Sequence, residues 1–475
     1  RTLRQLIATA VVFTVVATLG YGTVRRNGDY RSRVVMWSDV VAKRPANARG
    51  HYNLGHALAE QGNIEEAIKT YRRALQIRPL YPEAHNNLGI ALVEQGKFDE
   101  AFKEYHEALR LRSPYPEVHL NLGNAFKEQG KLDEAIREYH EALRLRPHYA
   151  EARSNLGNAL VEQDRLDQAV KEYREALRIR PAYPDAYVNL GIALGKQGKI
   201  DEAIDVYRTA LRINPASQEA NYNLGRALAQ QGRLDDTIRV YHQALRTSPD
   251  NPEVRLALAN TLVDLGKLDE AVTEYHRVLR IQPRYAEAYS NLGLTLARQG
   301  RVNEAITAYR EALQIRPAYP EAHYNMANAL AQQGKIDEAI KGYREATRLK
   351  PSYAEAYSNL GMALGRKGKL DEAIEACRAA LRLRPRYAEA YANLGTTLAL
   401  QGKLDEAIQA FRTVLEINPT LVQAHYNLGR ALLKQGEIEE AIKEYQQVLR
   451  IRPDHAGARN GLETALVKQE HSAPD

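Results

Sequence analysis

One cysteine, one tryptophan, three methionines and five phenylalanines are all that 475 residues hold of those types. The lone Cys377 excludes an intrachain disulfide, and with it both a disulfide scaffold and a cysteine-built zinc site. Charge of one sign is also scarce over most of the chain. The formal net charge is +7, but residues 1–47 carry eight Lys or Arg against two Asp or Glu, which leaves 58 against 57 for residues 48–475. A near-neutral body lacks the basic stripe that neutralises phosphates, so no nucleic-acid partner is expected.

Long uncharged apolar stretches are confined to Gln5–Val24, "QLIATAVVFTVVATLGYGTV", bounded by Arg1 and Arg4 on one side and Arg25 and Arg26 on the other. At ~1.5 Å rise per residue such a stretch covers roughly the ~30 Å hydrocarbon core of a bilayer. Residues 1–26 therefore read as a transmembrane helix with a basic flank, a signal peptide and a buried core helix being the other readings. On the first reading the protein sits in a membrane through residues 5–24 as a single-pass chain. The basic flank favours a cytoplasmic array by the positive-inside rule. The chain starts with Arg rather than Met, so an upstream part is an open expectation.

The remainder is repetition. Residues 48–455 divide into twelve units of 34 residues without an insertion. With Ala286–Tyr319 as the register, position 8 is Gly or Ala in every copy, position 15 is Gly in all but one (Asp164), and position 20 is Ala in all but one (Thr237). Position 24 is aromatic except at Cys377, and position 32 is Pro except at Ser113. Small residues at 8 and 20 let two helices approach, the ring at 24 fills the space beside them, and Gly at 15 tolerates the positive φ that ends the first helix. Residues 27–47 read as half a repeat that caps the start, with Trp37 at position 24 and Pro45 at 32, and residues 456–475 as a closing helix and tail.

These marks resemble the tetratricopeptide repeat (TPR) family. The resemblance implies an all-α fold, a right-handed superhelix of twelve helix-turn-helix repeats, preceded here by the expected transmembrane helix. It covers about 86% of the chain, residues 48–455.

No catalytic motif stands out, and the chain is not expected to be an enzyme, to hold a cofactor or to bind a metal. His51, His85, His119, His323 and His425 share position 4, a packing site between helices, and His106, His140, His242 and His276 share position 25, on the outer helix. The recurrent "LDEA" carboxylates stand at the start of the second helix, where capping and the helix dipole account for them better than general acid–base work. Most of the 28 tyrosines occupy positions 24 and 34, and read as core rather than as a stacking platform for bases.

Positions 2, 6, 9 and 13 of the first helix lie on one stripe, because their spacings of four, three and four keep them on one helical face. In TPR proteins that stripe lines the concave groove. Position 6 is Asn in eleven of twelve repeats: Asn53, Asn87, Asn121, Asn155, Asn189, Asn223, Asn291, Asn325, Asn359, Asn393 and Asn427, with Ala257 as the exception. Position 2 is acidic in ten repeats, position 9 varies, and position 13 runs from Glu60, Glu94, Glu128 and Glu162 to a later mixture with Lys196, Arg298, Arg366 and Lys434. The groove is thus expected to turn from acidic to more basic. Since an amide donates and accepts, a row of them can pair with the backbone of an extended peptide whatever its side chains. The row resembles the asparagine ladder of the O-linked N-acetylglucosamine transferases; a purely structural role in the inter-repeat contact is the other reading. The Lys and Arg pattern of the co-chaperone clamp for C-terminal carboxylates is missing.

The expected function is a membrane-anchored scaffold that mediates protein–protein interaction by holding extended peptides in its groove. The membrane junction, "MWSDVVAKRPANARGHYNLGHAL", also resembles transmembrane-TPR proteins of the O-mannosyltransferase-like class. On that resemblance the chain would be the substrate-recruiting portion of a multi-spanning glycosyltransferase, with catalysis upstream, and the array would lie on the extracytoplasmic side, opposite to the side the basic flank favours, so the side stays open.

Overall fold

The computed structural model describes residues 32–472. Its 26 helices, with no strand among the described residues, form an all-helical arrangement of consecutive pairs. The chain divides into two compact units between Gln231 and Gly232. In each unit, a repeat is a first helix, as in Ala48–Glu60, a three-residue turn and a second helix, as in Ile64–Ile77. So short a turn brings the second helix back along the first.

The turn follows from position 15. Gly at that position adopts φ between +72° and +99°, and Asp164 takes the same left-handed backbone at +59°. The packing of the pair follows from positions 8 and 24. A Cβ built on Gly191 would lie 2.4 Å from Cε1 of Tyr207, a ring that is itself 4% exposed. Helix and ring are in contact because the position between them has no side chain. Cys377 takes the place of the ring in repeat 10, fully buried, and burial pushes its thiol up to about 12, so it serves as a protonated core filler.

Successive repeats are stitched along a second line. Gln at position 14 donates to Asp at position 18 of the preceding repeat, Gln163 to Asp133 at 2.8 Å, Gln197 to Asp167 at 2.9 Å and Gln299 to Asp269 at 2.8 Å. Arg at position 25 reaches Glu at position 19 of the following repeat, as in Arg72–Glu100 at 2.6 Å and Arg412–Glu440 at 2.6 Å. The "LDEA" acids stand in the first turn of the second helices, where the helix dipole favours them. The N-cap residues there, such as Lys131 and Arg165, make no side-chain cap bond, and the acids divide between neighbours in the adjacent repeat, as Asp133 and Glu100 do, and partners in their own, as Asp236 and Glu304 do.

Helix Arg33–Lys43 packs on Ala48–Glu60, and helix Ala456–Ser472 follows the last repeat and packs on its second helix. The membrane expectation is corrected here. No described helix is long and apolar enough to cross a membrane; the longest, Ala456–Ser472, has 17 residues and carries charged side chains. Segment 5–24, on which that expectation rested, lies outside the described residues.

Candidate functional site

All eleven position-6 asparagines are half-buried on the face carried by the first helices, and all twelve position-13 side chains are exposed beside them. The exposed series runs from Glu60, Glu94, Glu128 and Glu162 to Arg366, Leu400 and Lys434, so the acidic and the more basic stretches of the stripe are both accessible.

The amides are already partly used. Asn155 donates to Asn124 Oδ1 at 2.9 Å, Asn291 to Asn260 Oδ1 at 3.1 Å and Asn359 to Asn328 Oδ1 at 3.0 Å, each acceptor standing at position 9 of the preceding repeat. Elsewhere the acceptor is at position 5 of that repeat: Tyr52 for Asn87 at 3.2 Å, Asn86 for Asn121 at 2.8 Å and Ser358 Oγ for Asn393 at 3.0 Å. Asn86 passes the chain on by donating to Asn87 at 3.2 Å, so Asn121, Asn86, Asn87 and Tyr52 form one relay across three repeats. Every one of these position-6 donors points back toward the preceding repeat.

The acceptors at position 9 take a second bond from the ring of their own repeat. Tyr139 donates to Asn124 at 2.8 Å, Tyr275 to Asn260 at 2.7 Å and Tyr343 to Asn328 at 2.7 Å. Burial pushes these phenols well above their ordinary value, which keeps them protonated and donating at neutral pH. The bracket tyrosine–asparagine–asparagine thus ties a second helix to its own first helix and to the next repeat.

Among the described residues, Asn53, Asn189, Asn223 and Asn325 make no side-chain hydrogen bond, and the Oδ1 atoms of Asn121, Asn155, Asn291, Asn359 and Asn393 accept none. Asn427 Oδ1 accepts from Gln423 at 3.1 Å. Where the row is bonded, these five positions keep a carbonyl oxygen without a donor, and Asn121, Asn155 and Asn291, which each spend one amide N–H, keep a second N–H as well.

Position 2 differs more from expectation. Glu83 pairs with Arg112 at 3.1 Å, Glu355 with Arg384 at 2.5 Å and Glu321 with Lys350 at 3.0 Å, within single repeats. Burial alone would raise the Glu321 carboxyl, but the Lys350 ammonium holds it below its usual value. The same cations lie over the position-34 rings, Arg112 over Tyr115 at 4.5 Å and Arg384 over Tyr387 at 4.7 Å. These three acids are paired internally, whereas Glu151, Asp185, Glu219, Glu253 and Glu389 at the same position are exposed, so positions 2 and 13 both carry exposed charge on the stripe.

The histidines of position 4 are bonded as well. His85 contacts Glu104 at 2.5 Å and the Pro79 carbonyl at 3.0 Å, and His425 contacts Glu444 at 2.5 Å and the Pro419 carbonyl at 3.0 Å. No group of three or more potential ligand side chains gathers to hold a metal among the described residues.

The sequence reading missed the position-9 asparagines. Their recurrence at Asn124, Asn158, Asn260 and Asn328 was the available signal, obscured by the variety of the other copies.

Comparison with known proteins gives the same architecture. Family models described as TPR repeat match residues 55–96, 296–334 and 327–368, and models described as tetratricopeptide repeat match 352–420 and 398–466. A model for the C-terminal domain of cilia and flagella-associated protein 70 matches residues 80–290. A protein O-mannosyl-transferase of Mus musculus is 36% identical over 63 residues, 13% of this chain and 8% of its own length. Another from Caenorhabditis elegans is 31% identical over 70 residues, 15% of this chain and 10% of its own length. The chain thus spans about a tenth or less of these curated relatives. Among solved structures, the APC/C hetero-tetramer Cut9–Hcn1 is 16% identical with a TM-score of 0.48, covering 94% of this chain and 95% of that one. YrrB, titled a TPR protein with an unusual peptide-binding site, is 24% identical with a TM-score of 0.36, covering 40% and 97%. The chain is a tetratricopeptide repeat protein.

Proposed function

We propose that this tetratricopeptide repeat protein is a protein-interaction scaffold whose first-helix stripe forms a groove for extended peptide segments. The observation that carries the reading is the row of half-buried asparagine carbonyls, Asn121, Asn155, Asn291, Asn359 and Asn393, left without a donor while their own amides are held by the preceding repeat. Fixed in orientation by that bond, each carbonyl is prepared to accept a backbone N–H from a strand-like peptide, and little side-chain entropy remains to be lost on binding. The exposed position-13 residues flank the row, and their charge supplies selectivity by sequence.

The test is an N-methyl scan of a short unstructured peptide captured by the full chain. Removing a backbone N–H that an asparagine carbonyl accepts should weaken capture at a subset of positions along the peptide. Capture that is indifferent to N-methylation throughout would overturn the reading. A second reading, recruitment of protein substrates for a glycosyltransferase, is supported by the short matches to two protein O-mannosyl-transferases. It expects co-purification with acceptor proteins that carry O-mannose, and their absence from pull-downs would remove it.

A further inference from the structure

Two pockets occupy the same register at different places in the array. One, of about 150 Å³, is bounded by His56, Glu60, Tyr71, Asn87, Ile90 and Glu94 of repeats 1 and 2. The other, of about 210 Å³, is bounded by Leu400, Leu404, Phe411, Asn427, Arg430 and Lys434 of repeats 11 and 12. Both sit between positions 9, 13 and 24 of one repeat and positions 6, 9 and 13 of the next.

The physical cause of the second is local. In repeats 3, 7 and 9 that register is bridged by the tyrosine–asparagine–asparagine bracket. In repeat 11 position 24 is Phe411, which has no hydroxyl, and position 9 is Thr396, whose hydroxyl is turned onto the Ala392 carbonyl of its own helix at 2.8 Å. Nothing spans to Asn427, so the floor is apolar and open. Its rim carries Leu400, 63% exposed and the one apolar residue among the twelve at position 13. Opposite stand Arg430 and Lys434, both exposed, and neither forms an ion pair among the described residues. Asn427 spends its carbonyl on Gln423 and keeps its amide donors.

We propose that this pocket takes one large apolar side chain of an extended peptide and that Arg430 and Lys434 hold a carboxylate on the adjoining residues. The proposal rests on the groove reading above and specifies its ligand class for repeats 11 and 12. The occupant follows from chemistry. The volume is below the ~300–1,000 Å³ of ordinary small-molecule sites and suits a single side chain, and two exposed cations without an ion pair among the described residues, Arg430 resting over the Tyr426 ring at 5.7 Å, select an acid next to that side chain.

Fluorescence anisotropy with the full chain tests it, using Gly-Ser peptides that carry a central Leu-Asp-Asp, Leu-Lys-Lys or Ala-Asp-Asp, and a plain Gly-Ser control. The Leu-Asp-Asp peptide should bind tightest, about tenfold above Ala-Asp-Asp, the ratio that ~1.4 kcal/mol of side-chain burial gives. Arg430→Glu with Lys434→Glu should weaken it about tenfold and shift preference to Leu-Lys-Lys, with Arg430→Gln and Lys434→Gln intermediate. Both positions are exposed, so the helical melting profile should be unchanged. If all peptides bind alike and ignore the charge reversal, the pocket assignment falls while the groove reading stands. If none binds, both fall. Self-association of the full chain that the charge reversal abolishes would overturn the assignment in favour of a second copy.

Discussion

Asn359→Ala and Asn325→Ala are the same chemical change at the same register, and the structure expects different consequences. Asn359 donates to Asn328 Oδ1 at 3.0 Å and to the Tyr324 hydroxyl at 3.2 Å, joining repeat 10 to repeat 9. Losing those half-buried bonds costs about 1–2 kcal/mol. Asn328 Oδ1 keeps its bond from Tyr343 at 2.7 Å, so no buried acceptor is orphaned and the upper figure is a bound. Alanine returns up to ~0.5 kcal/mol of helix propensity, for a net loss of about 0.5–1.5 kcal/mol. Asn325 has no side-chain partner among the described residues, and its replacement should be neutral or slightly stabilising. A repeat array need not melt as one unit, so the local measurement is native-state hydrogen exchange across Pro320–Gln332 and Ala354–Arg366. Exchange there should quicken severalfold in Asn359→Ala and stay level in Asn325→Ala. Peptide capture then tests the orientation argument: the carbonyl held by the preceding repeat is lost in Asn359→Ala, which should weaken capture more than Asn325→Ala, whose carbonyl is not held. Equal acceleration of exchange by the two substitutions would refute the hydrogen-bond account. Affinity unchanged in Asn359→Ala would reduce the row to an inter-repeat bracket.

Three further outcomes follow from the packing and the charges. Gly191→Ala sets a methyl 2.4 Å from a buried Tyr207 ring, and overpacking of this kind costs ~1–3 kcal/mol; an unchanged thermal melt would mean the ring moves aside freely. Asp164→Gly relieves a non-glycine residue at φ +59° and should stabilise repeat 4 by up to ~1 kcal/mol, with a lowered melting temperature as the contrary result. Burial alone would lower the His85 imidazolium pKa, but Glu104, the Pro79 carbonyl and the nearby Glu107 together raise it above its ordinary 6.5. The folded-state value therefore exceeds the unfolded one, so the stabilisation is complete below about pH 6.5 and fades as pH rises through the folded-state value. Exchange in repeat 2, corrected for its intrinsic pH dependence, should quicken between pH 6 and 8 in the wild type and not in His85→Gln; a flat wild-type profile would refute the assignment.

The sequence by itself determined the helix pairs, their turns and the closeness of their packing. Each depends on residues near in the chain or on a steric requirement that one residue type meets: glycine at φ > 0, glycine under a tyrosine ring, apolar spacing at three and four. Its one misreading at this scale was the membrane, which rested on a segment outside the described helices. Tertiary structure alone decided what the polar residues do. The amide of Asn155 finds its acceptor 31 residues back and that of Asn121 35 back, on different positions of the preceding repeat. The choice turns on how one repeat docks on another and which neighbour is Asn, Tyr or Ser. Docking likewise ties "LDEA" acids such as Asp133 to an adjacent repeat and leaves the pocket beside Phe411 open, and the turn-back within a repeat brings position-2 acids such as Glu355 to Arg384 near a position-34 ring. A backbone conformation is set by its own residue and the next turn of helix, whereas a hydrogen-bond partner is set by geometry between elements that the local sequence does not encode.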